Sequence, residues 1–404
     1  MRVAQTQVEE SRGVDITEEM VSQHGFDWQA IVWGYPRITR EEFLLRRKLT
    51  VTTNRNTEDS LQPLVQEAMS PTFVENLVTP HRMYRQFQPS ALHFQLKCML
   101  QSTRRDRFYY LRHSHICQAD TSAVKSPQTG QQFGSEKEVA YVRSLLPCSM
   151  CVHENILAVG GLEGDLLCVD LLSKGEVFRG KICDSDSAIT NSLSVTGTRG
   201  SGHRLVCCNN DKLTRFIDLP SFVCCQQFSF PWCVNRAEIS PDGSQMVVVG
   251  DSTECQLFDL RSNSMTAELT GHLDYNFACC WHPSKPLMVT GGEDHSLRVW
   301  DTRNLSESVT LLFSDLCAVR SVQFSPDGSL MFWAEEMDFA HINDVEHDFK
   351  LQQDISVLGD ITGMSMSPEG DYLWLGCGDQ QYGGVLEFKT NALEAAMKLP
   401  NVLW

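Results

Sequence analysis

The 404-residue chain has no apolar run near the roughly 18 residues that a membrane-spanning helix needs, so no membrane span is expected. Its opening, MRVAQTQVEESRGVDITEEM, has no apolar centre and does not read as a secretory leader. Positive charge is scarce: 34 Lys and Arg stand against 51 Asp and Glu, a net of −17. The deficit is uneven. Residues 1–90 hold 10 basic and 12 acidic side chains, whereas residues 121–404 hold 19 and 37. Nucleic-acid affinity comes largely from Lys and Arg releasing counterions, so such a body argues against bulk nucleic-acid binding. Also missing is a phosphate-cradling loop. The GTRGSG stretch at 197–202 lacks the Lys-Ser/Thr that would follow and reads as a turn between strands. Nothing reads as catalytic, and neither a cofactor nor a small-molecule substrate is expected.

Cysteine, by contrast, is plentiful at sixteen, but it is spread along a long chain rather than packed into a small framework. Three adjacent pairs occur, at 207–208, 224–225 and 279–280. Neighbouring strand residues point to opposite faces, so these read as small buried apolar side chains in a reducing compartment, cytoplasmic or nuclear. The CSMCVH stretch places Cys148, Cys151 and His153 close together, and HSHIC adds His113, His115 and Cys117. Cys-x-x-Cys suits tetrahedral zinc. On a strand, however, Cys148 and Cys151 face opposite ways, so no metal is expected there.

The chain repeats itself. SPDGS at Ser240 and Ser325, SPEGD at Ser367 and HPSKP at His282 put prolines at 241, 283, 326 and 368, spaced 42, 43 and 42. Each lies between two apolar segments, as in AEISPDGSQMVVVG, which predicts a tight turn joining two strands. An acidic residue ending a later segment gives a second ruler: Asp120, Asp170, Asp218, Asp259, Asp301, Asp344 and Glu387. The two longest steps leave room for insertions, a polar loop over 121–138 and a Gly-rich hairpin over 195–202. A period of about 40–45 residues with four strands per unit is the signature of a WD-repeat β-propeller. The expected fold is therefore all-β, a seven-bladed propeller over 88–404, preceded by an irregular, partly disordered arm over 1–87. Thr39 and Glu42 have capping-box spacing, which predicts a short helix from about 40 to 50.

GGEDHSLRVWDTR, at 291–303, is the clearest copy. It is similar to the signature of WD-repeat families, in which a His, a Ser or Thr, an Asp and the Trp form a hydrogen-bond chain. The resemblance assigns those places to His272, Thr290, Asp294 and Trp300, a structural set that locks the blade. Units without the full set are expected to pack more loosely; NNDKLTRFID keeps Asp211 but has Ile217 for the Trp. The stretches DWQAIVWGYPRITREEFLLRR and ALHFQLKCMLQSTRRDRFYYLRHSHI resemble the front of a plant and fungal WD-repeat subgroup. The late segment FWAEEMDFAHINDVEHDFKLQQDISVLGDITGMSMSPEGDYLWLG resembles a domain of unknown function found in related proteins. Neither carries an activity over to this chain.

Two features point to partners. Trp300-Asp301-x-Arg303, echoed by Asp259-x-Arg261, resembles the WDxR box with which WD-repeat receptors dock on the adaptor of cullin-RING ubiquitin ligases. Arg suits that task because its planar fork bridges carbonyl and carboxylate groups. Residues 335–404 also carry 13 Asp and Glu against three Lys. Glu335, Glu336 and Asp338 are candidates for an acidic rim that receives a basic or amino-terminal peptide segment. The expected function is a non-enzymatic protein-interaction scaffold, with a ubiquitin-ligase receptor as its sharper form. A regulatory or chromatin scaffold without a ligase role is the alternative.

Overall fold

The computed structural model describes residues 15–391 apart from 35–37, 52–55, 58–59, 94–97, 126–131, 184, 186–187, 199–201 and 220. Five four-stranded antiparallel sheets follow one another along the described chain. Sheet 1 comprises Leu100–Arg104, Arg107–Arg112, His115–Lys125 and Gln132–Tyr141. Sheet 2 comprises Pro147–His153, Ile156–Gly161, Asp165–Asp170 and Gly175–Lys181. Sheet 3 comprises Thr190–Thr198, Gly202–Asn209, Leu213–Asp218 and Cys224–Ser229. Sheet 4 comprises Val234–Ile239, Gln245–Gly250, Cys255–Asp259 and Ser264–Leu269. Sheet 5 comprises Asn276–Trp281, Leu287–Gly292, Ser296–Asp301 and Thr310–Phe313.

Sheet 6 is larger, with nine strands. Its 16-residue strand Leu351–Met366 pairs through its first part with Met337–Asp344 and through its last part with Tyr372–Gly378. One strand thus ends one four-stranded group and begins the next. The second group finishes with Gly384–Thr390 and then Val78–Tyr84 from the front of the chain, so the ring is closed by an early strand. Ile16–Thr17 adds one more short strand outside it.

The first strands of successive groups pack side by side, and the circuit returns to Leu100–Arg104. At the closure Met99 N–H donates to Thr362 O at 3.1 Å and Ser102 N–H to Ser365 Oγ at 2.9 Å. Gly363 permits that approach, because a Cβ there would lie 2.7 Å from the Leu100 nitrogen.

Burial on both faces explains the continuous apolar strands. Leu297 and Val299 pack toward Val322 and Trp333 of sheet 6, while Trp300 packs toward Val247 and Leu257 of sheet 4. The same alternation accounts for the paired thiols: Cys207 faces Ala158 and Cys168 of sheet 2, and Cys208 faces Met246 and Val248 of sheet 4. Each fully buried side chain of this size contributes about 1.5–3 kcal/mol, so the inter-sheet layers dominate stability. All sixteen cysteines are free thiols.

Several expectations are corrected. Most of the loop expected over 121–138 is strand, since His115–Lys125 and Gln132–Tyr141 continue the sheet; only 126–131 lie outside the described residues. At 195–202 the chain does turn back, pairing Thr198 with Gly202 around undescribed residues. The division at 87/88 cuts through the closing group, because Val78–Tyr84 is one of its strands. In the seventh unit the acidic ruler is two residues out. Leu330 pairs with Asp344 in its unit, but the equivalent Tyr372 pairs with Lys389. Glu387 instead turns inward, accepting from Trp374 Nε1 at 3.1 Å and pairing with His81 at 2.6 Å.

The front of the chain forms helices α1 (Glu18–His24), α2 (Arg40–Thr50) and α3 (Gln62–Glu67). Thr39 Oγ1 accepts from Glu42 N–H, and the Glu42 carboxylate accepts from Thr39 N–H, which fixes where α2 starts. Within the arm, α3 begins with Pro63 in its first turn and is anchored by buried Leu64. Residues 1–14 of the expected arm lie outside the described residues.

Candidate interaction faces

Strand alternation gives the ring two faces. Turns joining first to second and third to fourth strands lie on one, here the Asp-turn face. Second-to-third turns and the links between groups lie on the other, the arm face.

The Asp-turn face takes its name from a recurring device. The carboxylates of Asp120, Asp170, Asp218, Asp259, Asp301 and Asp344 accept from the backbone N–H of Ser122, Leu172, Ser221, Arg261, Arg303 and Glu346, at 2.8–3.1 Å. A short side chain that bonds the backbone two or three residues ahead closes a turn by itself, which is why Asp recurs there. The SPDGS turns on this face use the same economy. Ser240 Oγ and Ser325 Oγ each accept from the N–H five residues on, and Gly243 and Gly328 take φ of 73° and 77°. Gly328 also lets His282 approach, and the imidazole Nε2 lies 3.0 Å from Gly328 O, tying sheet 5 to sheet 6.

Arg261 and Arg303 occupy equivalent places in neighbouring sheets, and both are exposed. Arg303 folds back on Asp301, donating from Nε at 2.9 Å and from Nη2 at 2.6 Å while 75% of its side chain stays exposed. That pairing, with the Arg303 N–H, holds the Asp301 carboxyl down at about 2. Arg261 makes no side-chain hydrogen bond among the described residues; its backbone alone donates to Asp259.

Trp300 does not reach this surface. It is fully buried, and its Nε1 donates to Thr290 Oγ1 at 2.9 Å. The Thr290 hydroxyl lies 2.8 Å from His272 Nε2, and His272 Nδ1 lies 3.1 Å from Asp294. With His272 Nδ1–H donating to Asp294, every member of the chain is satisfied. Burial opposes charge on Asp294, but His272, the Leu273 N–H and Ser296 outweigh it and hold the carboxyl at about 2.

Groups lacking this set hold different polar sets. In sheet 3 Asp211 forms an ion pair with Arg215, which also donates to Asn209. In sheet 6 His341 is clamped between Glu335 at 3.0 Å and Asp354 at 2.8 Å and stacks on Trp333 at 3.9 Å.

The three acids expected to form a rim are placed otherwise. Glu335 is fully buried and accepts from the backbone N–H of Asp315, Leu316 and Cys317. Glu336 pairs at 2.8 Å with Arg320, whose other prong reaches Glu293 at 2.9 Å; the guanidinium lies 4.2 Å from the Phe277 ring centre. Burial pushes Glu293 up to about 7 against the pull of Arg320. Asp338, fully buried, is paired with Arg47 of α2 at 2.6 Å. The basic segment that meets Asp338 belongs to this chain.

The arm covers the arm face from group to group. Gln29 donates to Leu358 O and Tyr382 O, and Arg40 donates to Ser356 O. Lys48 pairs with Asp315 at 2.9 Å, and Asn56 binds Asp274 through both its backbone and side-chain nitrogens. The arm then runs down the outer edge, where Met69 N–H donates to Leu311 O and Thr72–Phe73 pairs with Leu351 and Gln352. A sequence signal existed, the Arg46-Arg47-Lys48 run against the acidic 335–338 stretch, but nothing local joins the two.

Cys148 sits at a β-bulge with Sγ 3.1 Å from Thr190 O, while Cys151 is buried against Ala158 and Leu193. His153 lies instead beside His203 of sheet 3, a contact that the sequence reading missed. No described helix is long and apolar enough to cross a membrane.

A ring of four-stranded sheets closed by an early strand, with the His-Thr-Asp-Trp chain in sheet 5, has the fold of a WD-repeat β-propeller. Residues 263–301 match the family described as "WD domain, G-beta repeat", and residues 317–355 match the uncharacterised protein domain DUF2415. Protein SOF1 of Saccharomyces cerevisiae is 39% identical over 80 residues, 20% of this chain and 16% of SOF1. Uncharacterized protein C4G3.03 of Schizosaccharomyces pombe is 24% identical over 273 residues, 63% of this chain and 74% of that protein. Target of rapamycin complex subunit LST8 of Mus musculus is 26% identical over 142 residues, 35% of this chain and 43% of LST8. A chain from the crystal structure of the mitotic checkpoint complex superposes with a TM-score of 0.62 at 17% identity, covering 84% of this chain and 98% of that one. That likeness is one of fold.

Proposed function

We propose that this chain is a seven-bladed propeller that acts as a non-enzymatic interaction scaffold, docking partner proteins on its Asp-turn face around Arg261 and Arg303. The five separate sheets and the two groups of sheet 6 are the seven blades. The arm, numbered 1–87 by sequence, ends at the closing strand Val78–Tyr84. One observation carries the proposal. The arm occupies the opposite face over sheets 5 and 6, while two equivalent arginines stay exposed on adjacent sheets of the uncovered one. LST8 is by name a subunit of a complex, and the checkpoint-complex chain comes from an assembly, which supports the same class of task. The free thiols support a reducing address, cytoplasmic or nuclear.

The sharper form is a receptor that docks on the adaptor of a cullin-RING ubiquitin ligase through Asp259, Arg261, Asp301 and Arg303, with Trp300 buried beneath them as part of the blade's core. Arg261, free to reach a partner, supports it. The fork of Arg303, already spent on Asp301, favours the alternative, a regulatory or chromatin scaffold without a ligase role. Affinity purification from native cells, comparing wild type with Arg261→Glu/Arg303→Glu, separates them. A ligase subunit recovered with wild type and lost from the folded double variant supports the receptor. A partner set without ligase subunits excludes the receptor, and one that is also unchanged by both substitutions excludes the face.

A further inference from the structure

His153 ends the first strand of sheet 2, and Glu154 follows in the turn with a left-handed φ of 50°. His203 stands near the start of the second strand of sheet 3, so all three meet on the Asp-turn face between two blades. The imidazole centres are 4.6 Å apart with planes inclined at 58°. Glu154 Oε1 lies 3.6 Å from His203 Nε2. One donor atom from each residue falls within 4.8 Å of the other two. His153 Nε2 and His203 Nδ1 are shielded from solvent yet have no hydrogen-bond partner among the described residues. His203 pairs across the sheet with Gly197, where a Cβ would come within 2.7 Å of Nδ1; the missing side chain is what makes room for the ring.

Two imidazoles with unspent nitrogens beside one carboxylate form the donor set of borderline transition ions; calcium and magnesium prefer oxygen alone. We propose that His153, Glu154 and His203 form a binding site for a zinc-class divalent cation that ties sheet 2 to sheet 3. Tetrahedral zinc with bonds of about 2.0–2.1 Å brings its ligands to about 3.4 Å from one another. The Glu154 carboxylate supplies the adjustment, being 68% exposed on a turn. Three protein ligands leave the fourth position to water or to a side chain from a docked protein. The thiols of sheet 2 take no part, since Cys148 and Cys151 are buried in the strand.

The test is titration of the full-length, metal-free protein with zinc chloride by calorimetry, alongside His203→Ala, Glu154→Ala and the thiol control Cys224→Ser/Cys225→Ser. The expected result is one zinc per chain, with affinity falling at least about tenfold in both ligand variants and unchanged in the control. Glu154 is an exposed turn residue, so its variant keeps the fold even if His203→Ala does not. Cobalt substitution should give ligand-field bands without a thiolate charge-transfer band. Absence of binding, equal affinity in Glu154→Ala, or a thiolate band would overturn the site.

Discussion

Arg47, in the second helix of the arm, donates from Nε to Asp338 Oδ2 at 2.6 Å across 291 residues of sequence. The carboxylate is fully buried and its second oxygen accepts from Gly359 N–H at 3.0 Å. Gly359 lies where Leu351–Met366 passes from one blade to the next, so one acid joins the arm to the junction of two blades.

Removing the arginine should therefore loosen the arm before the ring. Arg47→Ala leaves a buried carboxylate with one backbone donor, a loss of about 1–3 kcal/mol. Limited trypsin digestion should then cut within 40–50 markedly faster than in wild type, with the propeller fragment persisting. Equal cleavage rates would show that the pair does not hold the arm.

Stability should fall as the medium becomes alkaline. Burial opposes charge on His341, but Asp354 and Glu335 together overcome it and lift the imidazole to about 9. Its folded value lies above the unfolded value of about 6.5, so its contribution is complete below about 6.5 and lost as pH rises through about 9. Urea midpoints should decline across that window in wild type, and much less in His341→Gln. Parallel pH profiles for the two proteins would contradict this assignment.

Thr290→Val keeps shape but removes the hydroxyl shared by Trp300 and His272. Two buried nitrogens lose their partner, at a cost of about 2–4 kcal/mol. Chemical denaturation followed through tryptophan fluorescence should show it as an earlier midpoint. A midpoint within error of wild type would mean that water replaces the hydroxyl.

Arg303→Ala should do little to the fold. Its own head is 75% exposed, Asp301 keeps the backbone N–H of its turn without it, and a pair with one partner so open to solvent adds little to stability. Thermal midpoints of Arg261→Ala and Arg303→Ala should match wild type while partner recovery falls. Midpoint losses in step with partner loss would turn both into structural residues.

The ring was legible because its signals are local. Ser-Pro-Asp-Gly turns at 240 and 325, their variants at 282 and 367, and an Asp that closes a later turn in six of the units repeat whatever the core residues do, so Asp259, Asp301 and Asp344 fall on the ruler. Glu387 misled it because a longer acid two residues earlier serves Trp374 and His81, and spacing alone does not tell an Asp that bonds its own turn from a Glu that points into the core. His272, Thr290, Asp294 and Trp300 could be named together because one repeat contains them all. Arg47 with Asp338 and His153 with His203 could not, since their meeting depends on ring closure and on which blades become neighbours. Charge misled in the same way. The acids at 335, 336 and 338 look like surface in sequence, and burial becomes affordable only where Arg47, Arg320 and His341 converge on them.

The most direct test of the central claim is lysine cross-linking with mass spectrometry on complexes isolated from native cells. Lys174 and Lys285 lie in turns of the Asp-turn face, whereas Lys48 of α2 and Lys212 lie on the arm face. If partners dock as proposed, inter-protein links concentrate on Lys174 and Lys285, and Lys48 links to residues of its own chain. Partner links concentrated on Lys48 and Lys212, with Lys174 and Lys285 silent, would contradict the account and make the arm face the docking surface.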